Sequence, residues 1–174
     1  KGRVRVYKFK DDTTSWTKRG DDIEGDFALD RAGYSVSLNS NGTIVAIGIP
    51  WGGPTPSGPW VGLVRVYKLE GTNWTKQGDD IKGDFGWGPA AGWDNAGYSV
   101  SLSYNGTIVA IGIPHHTGKV GLVRVYKFDV ETNVWEQQGA GVGAGVGAGG
   151  WVAGDQAGHS VSLSSNALGT YVAI

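Results

Sequence analysis

One unit is written about three times in this chain, and the repetition constrains the fold more than any other feature. The segment GRVRVYK at 2–8 returns as GLVRVYK at 62–68 and 121–127, at spacings of 60 and 59 residues. A second block, AGYSVSLNSNGTIVAIGIP at 32–50, returns at 96–114 with 17 of its 19 residues unchanged. A third version begins at Ala157 and carries His159 where the others have Tyr34 and Tyr98. Trp16, Trp74 and Trp135 fall at equivalent places between the blocks and read as core. A repeat of this kind is one supersecondary unit that cannot bury its apolar faces alone, so neighbouring units must stack.

Each unit reads as four strands. Strand A, Tyr98–Leu102, alternates apolar residues with serines, a period of two. Asn105-Gly106 then predicts a two-residue type I′ hairpin. Strand B, Thr107–Ile113, is apolar on both faces and should be buried on both sides. Strand C is Leu63–Leu69, and strand D runs from Trp74 toward Ile81. The density of β-branched residues and the Gly/Pro punctuation argue against any helix. The expected fold is all-β, with β-propeller blades of four antiparallel strands. A parallel solenoid fits less well, because its coils are shorter and do not need Asn-Gly hairpins. The units divide as a half-blade at 1–31 (strands C and D), a blade at 32–95, a blade at 96–156 and a half-blade at 157–174 (strands A and B). The third unit includes a Gly-Ala-Val run at 139–150, of low complexity.

These residues resemble the FG-GAP repeats of the integrin α-subunit propeller, and still more the propeller-repeat proteins of algae and bacteria. Ala-Gly-Tyr-Ser-Val at 32–36 and 96–100 stands where that family has Phe-Gly-x-Ser-Val. Gly-Ile-Pro at 48–50 and 112–114 stands at its Gly-Ala-Pro, and strand C matches its Gly-x-Val-Tyr-Val-Tyr. The resemblance covers nearly the whole chain and implies extracellular adhesion or surface assembly. It also implies calcium in an Asp-rich loop between strands A and B. Here that connection is only Ser-Asn-Gly or Tyr-Asn-Gly, so no cofactor is expected and calcium is not carried over.

Composition narrows the function classes. Lys+Arg is 15 and Asp+Glu 16, a net charge of −1, which leaves no basic field for nucleic acid or an anionic membrane. No apolar run approaches the ~18 residues that span a bilayer, so membrane insertion is not expected. Cys is 0, which removes disulfides and thiol chemistry. Met is 0 and the chain opens on Lys1, as in a processed chain or a segment of a longer one. Three units fall short of the ~4 blades that close a ring. The apolar edges at 2–9 and 171–174 are therefore expected to pair across chains, or with the remainder of a longer propeller.

Connections of unequal length on a fixed scaffold mark where binding loops sit. The B–C connection runs 51–61 in one unit and 115–120 in the next; the D–A connection runs 28–31 and then 86–95. That end collects Trp51, Trp60, Trp87, Trp93 and Trp151, with His115 and His116. Exposed Trp on such loops stacks on sugar rings or anchors a protein partner, the alternative being that it plugs gaps between blades. The adjacent histidines lack a nearby carboxylate and read as solvated, with no metal site; His159 reads as packing. Three sequons, at Asn41, Asn73 and Asn105, fall on the opposite end and are candidate glycosylation sites. The recurring Gly-Asp-Asp-Ile-x-Gly-Asp at 20–26 and 78–84 reads as a repeated turn device. The reading is a non-enzymatic, extracellular or cell-surface structural and adhesion module. It self-associates or binds a glycan or protein ligand through its loops. A carbohydrate-binding lectin is the alternative, and a segment of a larger propeller enzyme the third.

Overall fold

The structure, a computed structural model, describes residues 1–53, 61–84, 94–143, 154–166 and 169–174. In chain order the elements are β1 (Arg3–Lys10), β2 (Ser15–Glu24), β3 (Ser35–Leu38), β4 (Ile44–Ile49), β5 (Leu63–Glu70), β6 (Asn73–Lys76) and β7 (Ile81–Lys82). There follow β8 (Ser99–Leu102), β9 (Ile108–Ile113), α1 (His116–Lys119), β10 (Leu122–Asp129), β11 (Val134–Gln137), β12 (Ser162–Asn166) and β13 (Gly169–Ala173). The fold is all-β, built of several antiparallel sheets. Two are hairpins, β1-β2 and β12-β13; one runs β8-β9-β10-β11; one runs β3-β4-β5-β6, with β7 also on β5. The single turn α1 was not expected from the sequence. It forms where the chain must cross from β9 to β10 in few residues, closed by Gly121 N–H donating to the His116 carbonyl at 3.1 Å.

Strands β4 and β9 are buried along nearly their whole length, as their two-sided apolar sequence demands. Alternate side chains serve different cores. Val45, Ile47 and Ile49 pack with Val4, Ile23 and Leu63. Ala46 packs with Val64, Val66, Val100, Leu102 and Val109 on the other side.

The joints between sheets repeat. Parallel bridges link Gly2 to Ala32, Gly62 to Ala96 and Gly121 to Ala157. Ser35 Oγ donates to the Gly97 carbonyl at 2.8 Å, and Ser99 Oγ to the Gly158 carbonyl at 2.7 Å. Ser37 Oγ accepts from Leu102 N–H, and Ser101 Oγ from Leu163 N–H. The alternating serines of the A strands therefore stitch each such strand to the next. Gly48 and Gly112 allow the approach. A Cβ on either would lie 2.0 or 1.9 Å from the carbonyl oxygen of Gly97 or Gly158.

Two expectations need correction. The Asn-Gly hairpins are not two-residue type I′ turns. Gly42 and Gly106 take positive φ, but Asn41 and Asn105 do not. Gly42 N–H instead closes a wider turn on the Asn39 carbonyl, while Asn39 Oδ1 accepts from Thr43 and Ile44 N–H. The Asn39 side chain thereby competes for the strand-end donors that a tight hairpin would use. The equivalent tryptophans are not all core. Trp135 is buried at 8% exposure and Trp74 half-buried, but Trp16 is 67% exposed. Trp74 Nε1 donates to the Arg19 carbonyl and Trp135 Nε1 to the Gln77 carbonyl, each across to the preceding sheet. Trp16 lies on the first sheet and has no preceding sheet to meet among the described residues.

Candidate functional site

The B–C and D–A connections bring together a row of rings. Tyr34, Tyr98 and His159 sit at the same place in three successive units, just before the A strands, and the serine ties space them. Ring centroids are 4.9 Å apart for Tyr34–Tyr98 and 4.8 Å for Tyr98–His159. Trp51 meets Tyr34 edge-on at 5.1 Å, and the Arg31 guanidinium lies 4.2 Å from the centre of the Trp51 ring. His115 lies 6.3 Å from Tyr98. Tyr34 and His159 are exposed; Tyr98, Trp51 and His115 are half-buried. His159 is thus not core packing but the third rung of a solvent-facing ledge. Arg31, Asn95 and Gln156, one before each bridging Ala, all take positive φ near +55° (54, 57 and 54).

Buried and half-buried polar groups lie beneath the ledge. His115 Nδ1 and Asn95 Oδ1 are 2.5 Å apart, and Asn95 Nδ2 donates to the Pro50 carbonyl at 2.8 Å. Burial, then the charges of Lys119 and His159, hold His115 below its ordinary pKa. His116 is not solvated and free of carboxylates as expected: its Nδ1 lies 3.1 Å from Asp94 Oδ2. Asp94 is 22 residues away in sequence, so spacing concealed the pair.

Asp84, Asp94 and His116 place donor atoms within 4.8 Å of one another, a set that suits a divalent cation. The carboxylates have structural work already. Asp94 Oδ2 accepts from Asp84 N–H, and Asp84 pairs with Arg124 of the next sheet. The preceding unit has the same device without histidine: Asp30 accepts from Asp26 and Phe27 N–H, and Asp26 pairs with Arg65. Asp30 and Asp94 are therefore the turn device. The repeated Asp-Asp-Ile-x-Gly-Asp motif forms ion pairs instead, a correction to the sequence reading. Its second Asp binds the arginine of its own sheet (Asp22–Arg5, Asp80–Arg65), and its last Asp binds the arginine of the next. Burial opposes the charge of Arg65, but Asp26 and Asp80 outweigh it and raise its pKa.

Asn41, Asn73 and Asn105 are exposed at the opposite end, in the A–B and C–D turns. Asn41 Oδ1 accepts from Thr43 N–H and Oγ–H, and Asn105 Oδ1 from Thr107 in the same way. Trp60, Trp87, Trp93 and Trp151 lie outside the described residues. A groove of about 540 Å³, unforeseen in the sequence, opens between Lys68, Gln77, Thr107 and Phe128. Gln77 Oε1 is buried there without a partner. The equivalent Arg19 reaches across to the Asn41 and Gly42 carbonyls; the shorter Gln77 does not span the same gap, and the groove results. No protein-family model matches the chain, and no curated protein does.

Proposed function

We propose that the chain is a run of β-propeller blades of the FG-GAP type. It serves as a non-enzymatic structural and adhesion module at the cell surface or outside the cell, and it binds its partner through the ring ledge. The observation that carries this reading is the alignment of Tyr34, Tyr98 and His159 in three successive units, with Trp51 and Arg31 beside them. Repeated joints set the spacing, so the ledge lengthens by one rung per unit. Rigid aromatic groups with polar edges are the side chains that most often anchor interfaces. The ion pairs give the repeated acidic clusters structural work, which supports reading them as part of the scaffold.

A carbohydrate ligand is the second reading, favoured by the exposed ring of Tyr34 and the imidazole of His159 on one ledge, with the half-buried Trp51 beside them. Immobilised chain tested against extracellular-matrix proteins and a glycan array separates the two. On either reading, Tyr34→Ala and Trp51→Ala lower binding about tenfold or more without shifting the unfolding curve. Variants that bind as well as the parent contradict a site at this end.

A further inference from the structure

Successive joints close differently at the end that carries the A–B and C–D turns. At the first, Arg19 spans the gap, its Nη1 donating to the Asn41 carbonyl at 3.1 Å and the Gly42 carbonyl at 3.3 Å. At the next, Gln77 holds the same repeat position, and a groove of about 540 Å³ stands where the guanidinium would be. Its walls are this chain's own described residues, from Ile44 to Gln77 on one side and from Thr107 to Asn133 on the other. We propose that the groove is a binding site for an alkyl guanidinium, an arginine side chain supplied by another molecule. The proposal does not depend on the ring ledge, which lies at the opposite end of the units.

Three observations select this chemistry. The first is a set of idle acceptors. Gln77 Oε1 is buried with no partner, a costly state for an acceptor. The last torsion of a glutamine is broad, so the amide can turn toward a donor entering the groove. The carbonyls of Asn105 and Gly106 are the counterparts of those that receive Arg19, and they accept from no group among the described residues. Thr107 of the same turn lines the groove. A guanidinium supplies several N–H donors in a fixed fork. An anion would bring more acceptors to a place already short of donors.

The second is the lining. Ile44, Phe128 and Val130 give apolar walls for the methylenes of an arginine stem, and Glu70 adds a carboxylate. The volume lies in the ordinary range for a small-ligand site.

The third is how neighbouring cations are held. Lys68 and Lys76 also line the groove, yet neither is a bare charge. Lys76 Nζ is 2.9 Å from Asp80 Oδ1, and Lys68 Nζ is 3.9 Å from Glu70 Oε1. Arg19 follows the counterpart lysine, Lys18, which Asp22 holds in the same way. The first joint thus already seats a guanidinium near an ion-paired lysine.

Nuclear magnetic resonance titration of the intact chain with Nα-acetyl-arginine amide tests the site. The expected result is saturable shifts at the amides of Ile44, Gln77, Thr107 and Phe128, with a dissociation constant on the order of 1 mM. The neutral isostere Nα-acetyl-citrulline amide should bind about tenfold more weakly or worse. Gln77→Arg puts a tethered guanidinium in the groove and should weaken probe binding about tenfold or more, with the amide spectrum away from the groove unchanged. Gln77→Leu removes the acceptor, keeps the bulk and should weaken binding as well. A capped Ala-Arg-Ala peptide separates the sources of the group. Tighter binding than the single residue assigns it to a protein partner and equal binding to a free arginine derivative, and either result supports the site. No saturable shift, an equal response to the citrulline probe, or undiminished binding by Gln77→Arg overturns it.

Discussion

Gln77 and Arg19 occupy the same place in successive units, and the difference between them opens a groove. Gln77→Arg should close it, its guanidinium reaching the turn carbonyls at 105 and 106 as Arg19 reaches those at 41 and 42. The expected gain is about 1 kcal/mol, read from the urea midpoint. Trp135 and Trp16 are likewise equivalent in sequence and unlike in place. Trp135→Ala should cost about 3–5 kcal/mol. Trp16→Ala, at a ring 67% exposed, should cost under about 0.5 kcal/mol. No sequence pattern separated these two tryptophans, because the difference lies in whether a sheet precedes them. The His116–Asp94 pair was hidden for a related reason: its members belong to different connections, and only the fold joins them. Tyr34, Tyr98 and His159 were visible as equivalent positions, but not as neighbours, since their spacing is set by serine hydroxyls on the strands that follow.

The elements were more legible than the contacts between them. Alternation marked the A strands, two-sided apolar sequence marked β4 and β9, and Gly-rich punctuation marked the turns. The turn type was misread, because Asn-Gly favours type I′ locally while a side-chain oxygen before each turn, Asn39 Oδ1 or Ser103 Oγ, draws strand-end N–H groups into a wider loop. Gly48 and Gly112 show what the Gly-Ile-Pro segment is for: they admit the next A strand. Gly112→Ala forces its Cβ against the Gly158 carbonyl and should destabilise by about 1–3 kcal/mol, with no positive φ to blame. The ion pairs between sheets predict an acid response. Arg124 hydrogen-bonds Asp84 and lowers its pKa below the ordinary 3.8. Burial raises that of Asp80, but Arg65 and Lys76 outweigh it, and it too falls below 3.8. In acid the unfolded carboxylates take up protons first, so stability is full above that value and drains as pH falls through it. The urea midpoint should fall with pH below about 4, and less steeply in Asp84→Asn, which has no such proton to bind.

At the scale of the whole molecule, one unit and one joint account for most of what is observed. The joint fixes the bridges at Ala32, Ala96 and Ala157, buries both faces of the B strands and aligns the rungs of the ledge. On the propeller reading proposed above, successive sheets turn by a similar step and their A strands face a common axis. The most direct test is a crystal structure of the chain. The account predicts successive sheets rotated by a similar step about a common axis, with the A strands nearest that axis. Sheets translated in a line, as in a solenoid, would contradict it.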